Sequence, residues 1–254
     1  MKYDVVIVGA GPSGYFCAYE LVNKNPKLKV LLIDKGLSIE NRHCPVLEHK
    51  LTKCPRNTKG YQECFPACSI TNGFGGAGAY SDGKFNITSE FGGWLQDYMD
   101  RDDLMGLIDY VDQINLKYGA TPVITDPYTK EVREIEKKAM SVGLKLLHSK
   151  VRHLGTEENL KILTRIYLDL KEKIDCRFST AVKDVIVEDH VVKGVITDKD
   201  EVITHSSGDS TTNNPLISIY NAAVMIMHIT PLIVLYVFCQ KFFVQSIERS
   251  GMVG

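Results

Sequence analysis

The fold class that the sequence predicts is an incomplete α/β dinucleotide-binding fold with an appended apolar helix. Three observations predict it. A glycine turn and a helical stretch lie between two buried strands near the N-terminus. Charge density falls sharply close to residue 200. Beyond that point runs a segment of twenty-four residues, Leu216 to Cys239, without a formal charge.

The first observation orders the rest of the chain. Tyr3 to Val8 is β-branched and nearly free of polar side chains, which predicts a buried strand. Gly9-Ala10-Gly11-Pro12-Ser13-Gly14 follows at once, and Ser13 to Asn23 has helical character. Lys29 to Asp34 then predicts a second buried strand. Each residue type has a physical reason. Gly9 allows the tight turn, and Gly11 lets backbone approach a pyrophosphate. Gly14 permits close packing of helix on sheet, and Asp34 can accept hydrogen bonds from a ribose. The helix start offers free N–H groups and a positive dipole end to the phosphates. The expectation is a Rossmann-like fold.

Composition divides the chain. The 254 residues carry a net charge of −1, which points to neither a polyanionic nor a polycationic partner, so nucleic acid is not expected. Residues 1–201 hold 57 charged side chains, whereas the remainder holds only Asp209, Lys241, Glu248 and Arg249. Met1-Lys2 runs directly into the first strand, so no signal or transit segment is expected and the body is placed in the cytoplasm. There the seven cysteines should be thiols or metal ligands rather than disulfides.

Residues 36–72 contain Pro45, Pro55 and Pro66 and lack a sustained apolar period, which predicts a long excursion. Cys44, Cys54, Cys64 and Cys68 lie within it. They could hold zinc or an iron–sulfur cluster, form a redox pair, or be ordinary reduced thiols. Their spacing fits no tight ribbon or ferredoxin pattern, and no metal is expected. Gly73 to Lys84 follows, with five glycines among small side chains. Such backbone can lie flat against a planar or phosphorylated ligand.

The middle of the chain predicts helices. Leu104, Leu107, Ile108, Val111, Ile114 and Tyr118 keep helical spacing up to Gly119, with Trp94, Leu95, Tyr98 and Met99 opening the same region as a core stripe. Val132 to Met140 predicts a shorter helix and Leu144 to Ser149 a strand. Thr156 is an expected N-cap for a long amphipathic helix that buries Leu160, Leu163, Tyr167, Leu170 and Ile174. His153 at its entrance either faces a ligand or hydrogen-bonds the turn. Arg177 to Glu188 and His190 to Thr197, flanking Asp189, predict strands returning to the dinucleotide-binding sheet.

VVIVGAGPSG with its acid at Asp34, the cysteine-containing excursion and GFGGAGAYSDGKFNIT together resemble the FAD-dependent dehydrogenase family of bacterial flavoproteins. These are two-dinucleotide-binding-domain flavoproteins, and the resemblance runs to about residue 200. It implies FAD as cofactor, with Gly9, Gly11, Pro12, Ser13, Gly14, Asp34 and Lys35 as contacts. It implies that Gly76, Ala77 and Gly78 lie near the flavin, that His153 belongs to an HxGT-like element, and that backbone near Val182 meets the adenine end. It supplies no substrate, electron donor or acceptor, and no residue with an assigned acid or base role. His153 and Lys84 are the first to mutate.

The family continues with a strand ending in an Ala-x-Gly turn, and Asp198 to Ser210 shows neither. Leu216 to Cys239 is long enough to span a bilayer. With Asp209 to Leu216 and Gln240 to Ile247 it resembles the C-terminal end of a sugar ABC-transporter permease. Lys241 and Arg249 beyond the run favour keeping that end inside, against the topology that a cytoplasmic body imposes. The expected organisation is therefore a chimera. Residues 1–200 form the FAD-binding oxidoreductase portion, 201–215 a junction, and 216–254 a membrane-associating tail. The opposing reading is a non-catalytic fragment anchored by that tail.

Overall fold

The computed structural model describes residues 2–55 and 67–205. They fall into two compact units, one formed by residues up to Gly76 and from Leu170 onward, the other by Ala77–Asp169. The apolar run at 216–239, the permease-like ending, most of the expected junction and Cys64 lie outside the described residues. Among the described residues, no helix is long and apolar enough to cross a membrane.

The first unit begins with β1 (Lys2–Tyr3) and β2 (Val5–Val8), followed by α1 (Pro12–Lys24) and β3 (Val30–Ile33). β2 and β3 pair in parallel, Val5 opposite Val30 and Val8 opposite Ile33. All four residues of β3 are buried, as expected of a central strand covered on both faces. Alternation divides the work. Val6, Leu31 and Ile33 join a cluster with Tyr3, Val195 and Ile203. Ile7 turns to the opposite face, where its Cγ2 lies near Gly14 of α1. Gly14, Ala18 and Val22 recur every fourth residue along the buried stripe of that helix.

The second unit contains β4 (Lys84–Ile87), α2 (Arg101–Lys117), α3 (Lys130–Ser141) and β5 (Lys150–His153). β4 and β5 are antiparallel, with Lys84 opposite His153 and Phe85 opposite Arg152. α4 (Thr156–Lys171) follows and crosses the boundary at Leu170. Tyr118 Oη donates to Asp169 at 2.6 Å and Arg165 donates to the Tyr118 carbonyl at 2.8 Å, tying the end of α2 to α4.

Back in the first unit, β6 (Asp175–Arg177) adds a third parallel strand beside β3. β7 (Val182–Glu188) and β8 (Val191–Thr197) form a hairpin whose two turn residues, Asp189 and His190, both have positive φ. That is the type I′ arrangement, whose twist matches the flanking strands. β9 (Val202–His205) pairs antiparallel with β8 and parallel with β1.

Several expectations are corrected here. The hairpin joins β9 and β1 in a four-stranded sheet of its own, not the parallel sheet of β2, β3 and β6. A returning strand is present: Ile203 of β9 is fully buried, so the chain does not stop before that strand. Four residues with one apolar side chain inward are too short to show a period against the charged Asp198 to Glu201. Leu144 to Ser149 is irregular, with Leu144 and Leu147 exposed, and the strand begins only at Lys150. Thr156 is the first helical residue of α4 rather than its cap. Trp94, Leu95 and Tyr98 precede α2 and are 63%, 52% and 85% exposed, so they are not core.

Candidate functional site

The site in the first unit is built by the turn between β2 and α1. Gly9 has φ +100°, the left-handed region that the tight turn requires. A Cβ on Gly14 would stand 1.8 Å from the Gly9 carbonyl oxygen, so the helix approaches the strand as closely as backbone allows. Gly11 is the N-cap of α1 and Pro12 its first helical residue. No side chain caps the helix start, and its first turn contains no acidic residue. Those first-turn amides and the positive end of the dipole suit an anion.

A Cβ on Gly11 would meet nothing within 4 Å. Facing it is Gly76, φ +57°, whose added Cβ would lie 3.2 Å from Gly11 Cα and 3.5 Å from Pro12 Cδ. The two glycine stretches that sequence picked out separately are thus brought together. Gly75 N donates to the Ala10 carbonyl at 2.8 Å, which fixes the second loop on the first.

Two buried or half-buried charges hold this loop pair. Asp34 Oδ2 accepts from Ala10 N at 2.8 Å, and Oδ1 accepts from Gly36 N at 2.7 Å and Gly73 N at 2.9 Å. A carboxylate has about four acceptor sites, so this one is largely committed to backbone, and about one remains for a ribose hydroxyl. Arg42 is buried and donates to four carbonyls: Nε to Ser69, Nη1 to Phe74, Nη2 to Ile70 and Gly76, at 2.6–2.9 Å. Phe74 is fully buried and stacks on Tyr15 with ring centroids 5.3 Å apart. Arg42 was missed by sequence reasoning, because a single basic residue in an irregular stretch carries no periodic signal.

Other expected contacts are placed less centrally. Lys35 is exposed. Val182 packs with Val185 against the Tyr3 cluster, while Thr180 N donates to the Asp34 carbonyl at 3.1 Å. Ala77 and Gly78 open the second unit, where the Gly78 carbonyl accepts from Asn159 Nδ2 at 2.7 Å. Cys44, Cys54 and Cys68 form no disulfide among the described residues.

In the second unit the β4–β5 register makes Lys84 and His153 cross-strand neighbours. Asp82 bridges them, its Oδ2 2.8 Å from Lys84 Nζ and its Oδ1 3.1 Å from His153 Nε2. The Lys84 hydrogen bond first, and then that of His153, hold the Asp82 carboxyl below the usual range. All three side chains are about half exposed or more. The cluster can hold a proton at a surface position.

The Thi4 family matches residues 1–41 of this chain, the stretch that contains β1 to β3 and the glycine turn. Thiamine thiazole synthase 4, chloroplastic, of Physcomitrium patens is 57% identical over 35 residues, 14% of this chain. The chain thus spans about a tenth of the length of that curated relative, 10%. Among solved structures, it is similar to pqsL, a probable FAD-dependent monooxygenase of Pseudomonas aeruginosa. There the identity is 10% and the TM-score 0.36, over 81% of this chain and 41% of that one. L-amino acid deaminase of Proteus myxofaciens gives 11% identity and a TM-score of 0.34, over 81% and 44% of the two chains. Sdh1 of Mycobacterium smegmatis gives 13% and 0.42, over 81% and 32%.

Proposed function

We propose that the chain is the FAD-binding portion of an oxidoreductase. One observation carries the proposal. The α1 N-terminus has no side-chain cap, and the space in front of Gly11 is open where any other residue would place a Cβ. The residues present fit the pyrophosphate of a dinucleotide. Gly11 and Gly76 leave room for it, and the first-turn amides of α1 that follow Pro12 donate to it. Asp34 acts chiefly by holding Ala10, Gly36 and Gly73 in place, with its remaining acceptor site for a ribose hydroxyl. Arg42 keeps Gly76 at its post. FAD, when bound, supplies the electron chemistry, and the protein supplies binding and orientation. Support for flavin over nicotinamide comes from the family resemblance of the sequence. The match over residues 1–41 covers the same dinucleotide-binding unit.

The test is the absorbance of the purified full chain, followed by release and chromatographic identification of any bound nucleotide. About one FAD per chain is the expected result. Nicotinamide dinucleotide in its place would leave the fold reading and overturn the flavin. A folded chain that takes up no dinucleotide, even after incubation with FAD, would return the non-catalytic reading.

A further inference from the structure

We infer that Arg42 is the positioning residue for the diphosphate of the bound dinucleotide, and that it governs this part of the ligand separately from the adenosine end. The inference rests on the dinucleotide reading given above and divides that site between its two anchors. Arg42 is 4% exposed and joins two stretches of chain. Its Nε and Nη2 donate to the carbonyls of Ser69 and Ile70, at the end of the cysteine-containing excursion, at 2.8 and 2.9 Å. Its Nη1 and Nη2 donate to the carbonyls of Phe74 and Gly76, in the glycine loop, at 2.6 and 2.9 Å. A guanidinium is planar and its donors have fixed directions, so the four oxygens are fixed relative to one another.

The loop so held bounds the space in front of α1. Phe74 stacks on the buried Tyr15 of α1, and Gly75 N donates to the Ala10 carbonyl at 2.8 Å. Gly76 then stands across from Gly11, where a Cβ on it would lie 3.2 Å from Gly11 Cα. One wall of the diphosphate gap is therefore the start of α1, and the other is Gly76, whose carbonyl Arg42 holds. Asp34 acts at a different point of the same loop. Its carboxylate takes the amides of Ala10, Gly36 and Gly73, and its remaining acceptor site serves the ribose. Asp34 thus fixes the loop at Gly73, and Arg42 fixes it from Phe74 to Gly76. A lysine, whose donors share one nitrogen, cannot meet four carbonyls spread over two stretches. Without Arg42, Gly76 is no longer tied opposite Gly11, and the gap must be rebuilt each time a diphosphate binds.

The probes are ADP and adenosine, which share the adenosine end and differ in the diphosphate. They are titrated calorimetrically into the full chain freed of bound nucleotide. The parent should bind ADP more tightly than adenosine. Arg42→Ala should weaken ADP about tenfold or more, through lost preorganisation. It should leave adenosine within about twofold, as expected of an independent contact. Millimolar guanidinium ion should restore ADP binding to Arg42→Ala, and ammonium ion should not. Should that variant fail to fold, the parent still carries the test. With isotope-labelled arginine, the Arg42 Nε–H signal, assigned through its own side chain to the backbone, should shift on adding ADP and stay in place with adenosine. Equal losses of ADP and adenosine in folded Arg42→Ala, undiminished ADP binding, or no rescue by guanidinium overturns the role of Arg42 and leaves the dinucleotide reading intact. So does an Arg42 signal that ignores bound ADP. ADP that binds the parent no better than adenosine overturns the diphosphate site itself, and the function proposed above with it.

Discussion

Gly14 and Gly9 are in such close register that a Cβ on the first would stand 1.8 Å from the carbonyl oxygen of the second. Gly11, three residues earlier, has open space where its Cβ would be. The two glycines are required for different reasons, and substitution separates them. Gly14→Ala must push α1 off β2, an overpacking cost of about 3 kcal/mol or more. A Cβ at Gly11 meets no protein atom within 4 Å, so Gly11→Val should leave the denaturation midpoint close to that of the parent. On the proposed function it should nonetheless lose the flavin, because its side chain would stand where the pyrophosphate is proposed to approach. Flavin absorbance per chain and urea midpoints, measured on both variants, check the pair. Flavin at parental stoichiometry in Gly11→Val contradicts the assignment.

Asp34 offers a second separation. If its carboxylate chiefly anchors the amides of Ala10, Gly36 and Gly73, its loss is felt without any cofactor present. Hydrogen bonds to a charged group contribute about 1.5–3 kcal/mol each, so Asp34→Ala should destabilise the cofactor-free chain by about 3 kcal/mol or more. Thermal or urea unfolding of the stripped protein measures it. An unchanged midpoint would mean that the carboxylate serves the ribose alone.

Asp112 and Arg152 are the buried pair of the second unit, with side chains 9% and 5% exposed. Arg152 also donates to the carbonyl of Thr121. Removing one partner strands a buried charge, so Arg152→Met should cost about 3–5 kcal/mol. The double variant Asp112→Leu/Arg152→Met leaves no stranded charge and should recover most of that loss. A double-mutant cycle by chemical denaturation gives the coupling. Single and double variants of equal stability would show that the pair contributes nothing specific.

How much of this was legible depends on the range of the interactions. The β2–α1–β3 unit was readable because its buried run, glycine spacing and helical stripe are all local. Asp34 was also found, but the sequence suggested only a ribose partner. Its actual partners include Gly73, thirty-nine positions away, which no pattern around Asp34 reveals. Lys84 and His153 were picked out one by one, and Asp82 between them was missed. The pairing follows from the β4–β5 register, and the second of those strands was expected six residues too early. Trp94 and Tyr98 show the opposite failure. Their helical spacing was real as a pattern, but the chain there makes a short 3-10 turn and exposes them. β9 was invisible because a four-residue strand is defined by its neighbours β8 and β1, not by its own period.

Cysteine chemistry gives the last prediction. Cys176 lies in β6 opposite Leu32 of the buried β3 strand. Burial first, and then the neighbouring Asp175 carboxylate, push its thiol from the ordinary 9.0 up to about 12. Burial also raises Cys17, with Glu20 adding to it. Cys54 is exposed. Only the thiolate attacks an alkylating agent, and a rise of that size cuts the thiolate fraction at pH 8 by about a thousandfold. Iodoacetamide at pH 8 should therefore modify Cys54 quickly and leave Cys176 and Cys17 intact until the chain unfolds. The raised value also fixes the sign of a stability effect. The folded state holds the Cys176 proton more tightly than the unfolded state does. Its contribution is complete below pH 9 and is lost as pH rises from there towards 12. The check is site-resolved mass spectrometry of labelling over time, with urea midpoints at pH 8 and pH 10. Cys176→Ala should flatten the fall in midpoint between those two pH values. Rapid modification of Cys176 in the folded chain would show that β6 opens from β3, and would remove the basis for both expectations.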